Sequence, residues 1–176
     1  MRRSAATVGS AVFFVVAPGV VAGVVPWLIT RWQVPERMSP FAIIRMTAGA
    51  VLLGVAVVVL VRAFARFVVE GGGTPSPVAP TEGLVVGGDY RFVRNPMYLG
   101  VVTAVLGQAM IFGSLALLGY ALTVWAIFAA FVRWYEEPLL LKRYGDDYQR
   151  YRQAVRAWVP RLHPWRADID HASHSS

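Results

Sequence analysis

Not one of the 176 residues is cysteine. That absence removes disulfides, thiolate nucleophiles and cysteine-built metal sites together, and it leaves no basis for a small stapled secreted fold. Acidic residues are scarce as well: 10 Asp and Glu stand against 17 Lys and Arg, for a net charge of +7. Such an excess invites comparison with nucleic-acid binders. The arginines flank apolar segments instead and no base-reading motif occurs, so nucleic acid is set aside and anionic lipid headgroups become the counter-charge. Charge itself is missing over long stretches, with none from Ser4 to Thr30 and none from Met97 to Val132.

What fills those stretches is apolar. The hydrophobic share is 56%, above the roughly 45–50% of soluble domains, and the mean hydropathy is positive. About 20 apolar residues cross the hydrocarbon layer, so Ser4–Thr30 and Phe41–Val69 read as two spans. Arg2 and Arg3 before the first run imitate a signal peptide, but the run exceeds the usual length of about 7–15 residues. Pro18 and Pro26 would kink the first helix, which neighbouring helices tolerate in a membrane. Met97–Val132 is too long for one span of about 20 residues, and Gly113-Ser114 near its middle predicts a tight helical hairpin; the alternative is one long tilted helix. The expectation is an all-α membrane protein of about four transmembrane helices, the last two a hairpin, with interfacial helices after them.

The whole chain, 1–176, reads as a single integral membrane domain. It divides into two N-terminal spans in 1–69, a cytoplasmic loop in 70–96, the hairpin in 97–133, C-terminal helices in 134–165 and a disordered tail in 166–176. Arg2, Arg3, Arg62, Arg66, Arg91, Arg94 and the eight basic residues from Arg133 onward fall on one face of this arrangement. Positive-inside bias makes that face cytoplasmic, both termini included, in an inner or plasma membrane. Arg31, Arg37 and Arg45 oppose the assignment. Gly71 to Pro77, "GGGTPSP", predicts a connector that is neither helix nor sheet.

The most polar corner, "RFVRNPMYLG", stands immediately before an apolar run. Asn is a preferred N-cap and Pro is favoured at the first helical position, so Asn95-Pro96 predicts a helix start. Such a start offers backbone N–H groups and the positive dipole end to a carboxylate or phosphate, and Arg91 and Arg94 add charge there. Glu136 and Glu137 follow the second apolar run. Acids at a membrane boundary need partners or water, and they either hold a cation or pair with Arg133 or Arg94. Beyond Gly145, which suits a C-cap, Asp146 would cap a helix with Tyr148, Tyr151, Val155 and Trp158 on one face, the pattern of an interfacial helix. Arginines, a helix N-terminus, two carboxylates and tyrosines suit a zwitterionic ligand with a flat ring.

The stretch "GLVVGGDYRFVRNPMYLG", followed past the apolar run by "EEPLLLKRYGDDYQRYRQAVRAWVP", resembles the isoprenylcysteine carboxyl methyltransferase family, related to the membrane phospholipid methyltransferases. The shared order is a Leu-Val run, Gly-x-Tyr, Arg-His-Pro-x-Tyr, an apolar hairpin, Glu-Glu, then Tyr-Gly-x-x-Tyr and a closing Pro, over roughly residues 82–160. The resemblance implies an S-adenosylmethionine-dependent enzyme of the cytoplasmic face with a lipophilic acceptor. It implies Leu84, Val85, Tyr90, Arg94, Asn95, Pro96, Met97, Tyr98 and Glu136 around the cofactor, most of them drawn from one loop and the helix start after it. It also implies Arg133 toward the substrate. Asn95 stands where the family has His; it can hydrogen-bond a cofactor but cannot act as an acid or base near pH 7. Glu137 is the candidate to pair with Arg133 or, for an amine acceptor, to act as base. Methyl transfer from a sulfonium is an in-line displacement that positioning at about 3–3.5 Å accelerates, and it needs no metal. A non-catalytic transporter subunit or lipid-binding scaffold is the rival reading; transporters show mid-span polar breaks and internal repeats, which are not found here.

Overall fold

The computed structural model describes residues 17–34, 39–70 and 84–166, and every regular element among them is helical. The leading stretch with Arg2 and Arg3, Arg37, the Gly71 to Pro77 connector and the tail from Asp168 lie outside the described residues.

Helix α1, Ala17–Thr30, carries a π-helical turn at Val20–Val24 directly before Pro26. Proline has no N–H, so Pro26 offers no donor to the carbonyl of Ala22 one α-turn back or of Val21 one π-turn back. Other helices supply the donors: Gln108 Nε2 donates to Ala22 O at 2.6 Å and the Tyr120 hydroxyl donates to Val21 O at 3.1 Å. The tolerance expected for proline in the first span thus has named partners.

Helix α2, Pro40–Glu70, has 31 residues, about 46 Å at 1.5 Å per residue and more than a bilayer requires. One face buries Ala42, Gly49, Ala56 and Ala63, small residues recurring every seventh position. The opposite face exposes Phe41, Ile44, Val51 and Val61. Small residues let helix backbones approach closely where lipid is as apolar as the side chains. A Cβ on Gly49 would stand 2.7 Å from Gly107 O of α3.

Helix α3, Pro96–Phe112, is the centre of the bundle, burying Pro96, Gly100, Val101, Val102, Ala104, Val105, Gly107, Gln108 and Ala109. It stops at Gly113, whose φ of 62° is left-handed, a conformation that costs other residues about 1–2 kcal/mol. Ser114 Oγ then accepts the Leu117 N–H at 3.3 Å and opens α4, Leu115–Phe131. The pair is therefore a hairpin and not one long tilted helix. Arg45 of α2 donates to Met110 O and lies over Gly113, so its charge serves the carbonyl end of α3. Arg31 lies 4.8 Å over the Trp27 ring. Two of the three arginines that oppose the positive-inside pattern thus have local roles.

Helix α4 runs without a break through a π turn, Val132–Glu136, into α5, Glu137–Ala154. Leu115–Ala154 and Pro40–Arg66 are long and apolar enough to cross a membrane, and Ala17–Thr30 and Pro96–Phe112 are shorter apolar helices. This architecture fits a membrane protein. Gly145, at φ 50° and ψ −122°, kinks α5 where a C-cap was expected. Three of the four residues of the stripe beyond it do not face lipid as an interfacial helix would require. Tyr148, Tyr151 and Val155 form a buried cluster against Leu84, Val86 and Trp165.

Candidate active site

The site is built where the threshold of α3 meets the π turn between α4 and α5. A short 3₁₀ turn, Gly88–Arg91, is fastened to the end of α2 by Arg62 Nη2 and Asp89 Oδ1 at 3.1 Å. Gly88 has φ +55°, and a Cβ there would meet Arg66 at 2.7 Å, so both its backbone and its space call for glycine.

The loop after this turn is held by the chain's last described segment. Arg94 N–H donates to Arg156 O at 3.0 Å, Arg161 N–H to Phe92 O at 2.9 Å and Trp165 N–H to Arg91 O at 2.9 Å. Arg91 Nε returns a bond to Trp165 O at 2.7 Å. Residues 155–166 form a strap across the loop. Asn95 occupies the N-cap position of α3 as the sequence predicts, but its side chain makes no capping bond. It is buried at 7% exposure and its Nδ2 donates to Ala157 O at 3.2 Å. The amide therefore holds the strap.

Beyond the apolar stretch of α4, the π turn adds one residue relative to α geometry and rotates the start of α5 by about 100°. The two acids then face different partners. Glu136 Oε2 accepts the Tyr98 hydroxyl at 3.1 Å, and the Tyr98 ring lies against Phe128, centroids 4.7 Å apart and planes tilted by 35°.

Glu137, 4% exposed, is ringed by guanidinium groups. Arg94 Nη1 stands 2.9 Å from Oε1, while Arg152 Nη2 and Arg133 Nη1 stand 3.3 and 3.7 Å from Oε2. Arg94 also donates to the Tyr148 hydroxyl at 3.1 Å. Oε2 has two cations in range yet no hydrogen bond of good geometry, and Arg94 Nε is buried without an acceptor.

The remaining expected residues form the apolar side. Pro96 and Tyr90 are buried, and Tyr90 O accepts the Tyr151 hydroxyl at 2.7 Å. Leu84 packs on the Tyr148, Tyr151 and Val155 cluster, and Val85 and Met97 are half-buried. Arg133 lies at the rim, its side chain 68% exposed. Arg94, Glu136, Glu137, Tyr98 and Arg133 thus share one corner. Tyr148 and Arg152 join them without having been assigned to it from sequence. Their i, i+4 spacing on α5 puts both on one face, the signal that would have found them. The surface hollows lined by Asp146, Gln149, Arg150 and Gln153, and by Arg156, Pro160, Leu162 and His163, include none of these residues in their linings.

Known proteins share the region that forms this corner. The sequence model described as phospholipid methyltransferase matches residues 44–147, more than half of the chain. Protein-S-isoprenylcysteine O-methyltransferase A of Arabidopsis thaliana is 29% identical over 136 residues, 77% of this chain and 64% of that protein. Protein-S-isoprenylcysteine O-methyltransferase of Schizosaccharomyces pombe is 35% identical over 78 residues, 44% of this chain and 33% of that one. Methanethiol S-methyltransferase 1 of Bradyrhizobium diazoefficiens is 35% identical over 80 residues, 46% of this chain and 26% of that one. The chain therefore spans less than two thirds of the length of these relatives, and no solved structure matches it. With a matched region that runs from α2 through α3 and α4 to the Arg94 and Glu137 corner, the chain belongs to the phospholipid methyltransferase family.

Proposed function

We propose that this protein is an integral membrane methyltransferase that uses S-adenosylmethionine and methylates a lipophilic acceptor at the cytoplasmic face. The observation that carries the reading is the meeting of the α3 threshold with the acid pair: Arg94 contacts Glu137, and Tyr98 contacts Glu136. The buried, unpartnered Nε of Arg94 suits the cofactor's carboxylate, because a charge-assisted bond there would satisfy a donor that is costly to leave unmade. Glu136 suits a cationic ammonium or sulfonium. Leu84, Val85, Tyr90, Pro96, Met97 and Tyr98 give the apolar and aromatic surface that a flat ring and a methylene chain require. S-adenosylmethionine, when bound, supplies an electrophilic methyl group.

The chain's own residues then orient and exclude water. Arg133, at the rim, is positioned to turn an anionic acceptor toward the corner. Glu137 is paired with Arg94, Arg133 and Arg152, and its work in this reading is to fix Arg94 and Arg133. Asn95 acts through the strap and carries no proton. Four apolar helices, with Arg45 and Arg31 engaged locally, support four spans and cytoplasmic termini. The isoprenylcysteine named by two of the relatives, methylated on oxygen, is the first acceptor to try, and the methanethiol enzyme makes a thiol the second.

The test is equilibrium binding of radiolabelled S-adenosylmethionine to purified protein in nanodiscs, followed by methyl transfer to a prenylcysteine analogue and to a membrane lipid extract. Binding that falls at least about tenfold in Arg94→Lys and Glu136→Gln, with helicity retained, is the expected result; one charged contact of about 1.4 kcal/mol is worth that factor. A folded wild-type protein that binds no cofactor overturns the reading in favour of the non-catalytic alternative.

A further inference from the structure

The strap carries a feature that the proposed chemistry does not use. From Arg156 to Arg166 it holds three arginines and a histidine and no acid. Its apolar tips face outward, Leu162 at 93% and Val159 at 54% exposure. This exposure is not fraying, since the bonds of Arg161 and Trp165 to the 91–95 loop fix the backbone on either side of Leu162, and the Arg161 side chain donates to Ala154 O at 2.8 Å.

The level of the strap relative to the spans follows from one ring contact. Trp158 meets Trp125 edge-on, with centroids 6.2 Å apart. Trp125 belongs to the apolar part of α4, eight residues before Arg133, which at 1.5 Å per residue places it about 12 Å further into the bilayer than that first charge. A strap whose tryptophan reaches Trp125 therefore lies at the boundary between headgroups and acyl chains. Exposed Val159 and Leu162 at that level meet lipid, and the arginines around them meet phosphate, the arrangement by which amphipathic segments lie in a membrane interface.

We propose that the strap is a membrane-interface anchor: Val159 and Leu162 enter the acyl boundary of an anionic leaflet and Arg156 and Arg166 hold its headgroups, so that lipid steadies the 91–95 loop to which the strap is bonded. The proposal rests on the reading of α4 as a span. The chain has no cysteine, so Leu162→Cys, Gln149→Cys and Ile127→Cys each create one labelling site, and all three positions are exposed. Each variant is labelled with an environment-sensitive fluorophore in nanodiscs of phosphatidylcholine and phosphatidylglycerol, then quenched by lipids carrying a nitroxide at shallow or deep positions.

The Leu162 label is expected to be quenched by the shallow nitroxide about threefold or more above the Gln149 label, as a depth of about 5–10 Å requires. Adding Arg156→Gln and Arg166→Gln is expected to reduce that quenching. A Leu162 label as water-exposed as Gln149, while Ile127 is quenched by the deep nitroxide, overturns the anchor and leaves the span intact. If Ile127 is unquenched too, the span reading itself fails and the anchor falls with it. Quenching unchanged by the two glutamines overturns the role given to the headgroups.

Discussion

Replacing Glu137 by Gln keeps the side chain's shape and removes its charge, and the structure indicates which of its three partners suffers. Arg152 and Arg133 have side chains 36% and 68% exposed and lie 3.3 and 3.7 Å away; pairs of that kind contribute at most about 1 kcal/mol each. Arg94 is different. Its side chain is 11% exposed, 2.9 Å from a carboxylate that is 6% exposed, and removing one member of a buried pair costs about 3–5 kcal/mol because the other charge stays buried and unpaired. The Tyr148 hydroxyl still accepts from Arg94, which favours the lower end. Glu137→Gln is thus expected to cost about 3 kcal/mol, more than a hundredfold in the folding equilibrium, and Arg133→Gln less than about 1 kcal/mol. The assay is unfolding of the detergent-solubilised protein by sodium dodecyl sulfate, followed by circular dichroism and tryptophan fluorescence. A double variant, Glu137→Leu with Arg94→Met, should recover much of the loss, since apolar replacement of a whole buried pair is often neutral. A cost under about 1 kcal/mol for Glu137→Gln, or an equal cost for Arg133→Gln, refutes the claim that this carboxylate holds Arg94 in place.

Two further outcomes rest on named contacts. Gly49→Val forces a Cβ to within 2.7 Å of Gly107 O and 2.9 Å of Ile111 N, so α2 and α3 must part at a cost of about 1–3 kcal/mol; Gly54→Val, with nothing within 4 Å, is the control in the same unfolding assay. Gln108→Leu removes the donor to Ala22 O and is expected to cost about 0.6–2 kcal/mol, the range for hydrogen bonds between membrane helices.

The helices were legible because their signals are local. Two charge-free runs, Pro96 at a helix start and Gly113-Ser114 at a break each act within a few residues, and the structure puts the elements where those signals stand. The seven-residue spacing of Ala42, Gly49, Ala56 and Ala63 was equally available and marks the face that α3 covers. The site was legible only as a set of residues. That Glu137 takes three arginines depends on the π turn resetting the register of α5 relative to α4, and a π turn has no composition of its own. The strap was misread for another reason: Val155 and Trp158 continue the helical spacing of Tyr148 and Tyr151, yet the helix ends at Ala154 and the order of 155–166 comes from backbone bonds to a loop far earlier in the chain. Asn95 shows the difference clearly, since its propensity marks the helix start correctly while tertiary contact redirects its amide to Ala157.

The proline in α1 bears on how the protein is made. When α1 leaves the ribosome, the groups that will complete the carbonyls of Ala22 and Val21 are 86 and 99 residues downstream. At about 5–20 residues per second, the first helix waits roughly 5–20 s for them. In the proposed four-span arrangement its turn before Pro26 then has unmet acceptors in lipid during that interval, where each is costly. The last hairpin to be synthesised is therefore what finishes the first helix, and variants of Tyr120 or Gln108 should surface in the cell as slow or failed insertion of α1 before any defect at the site.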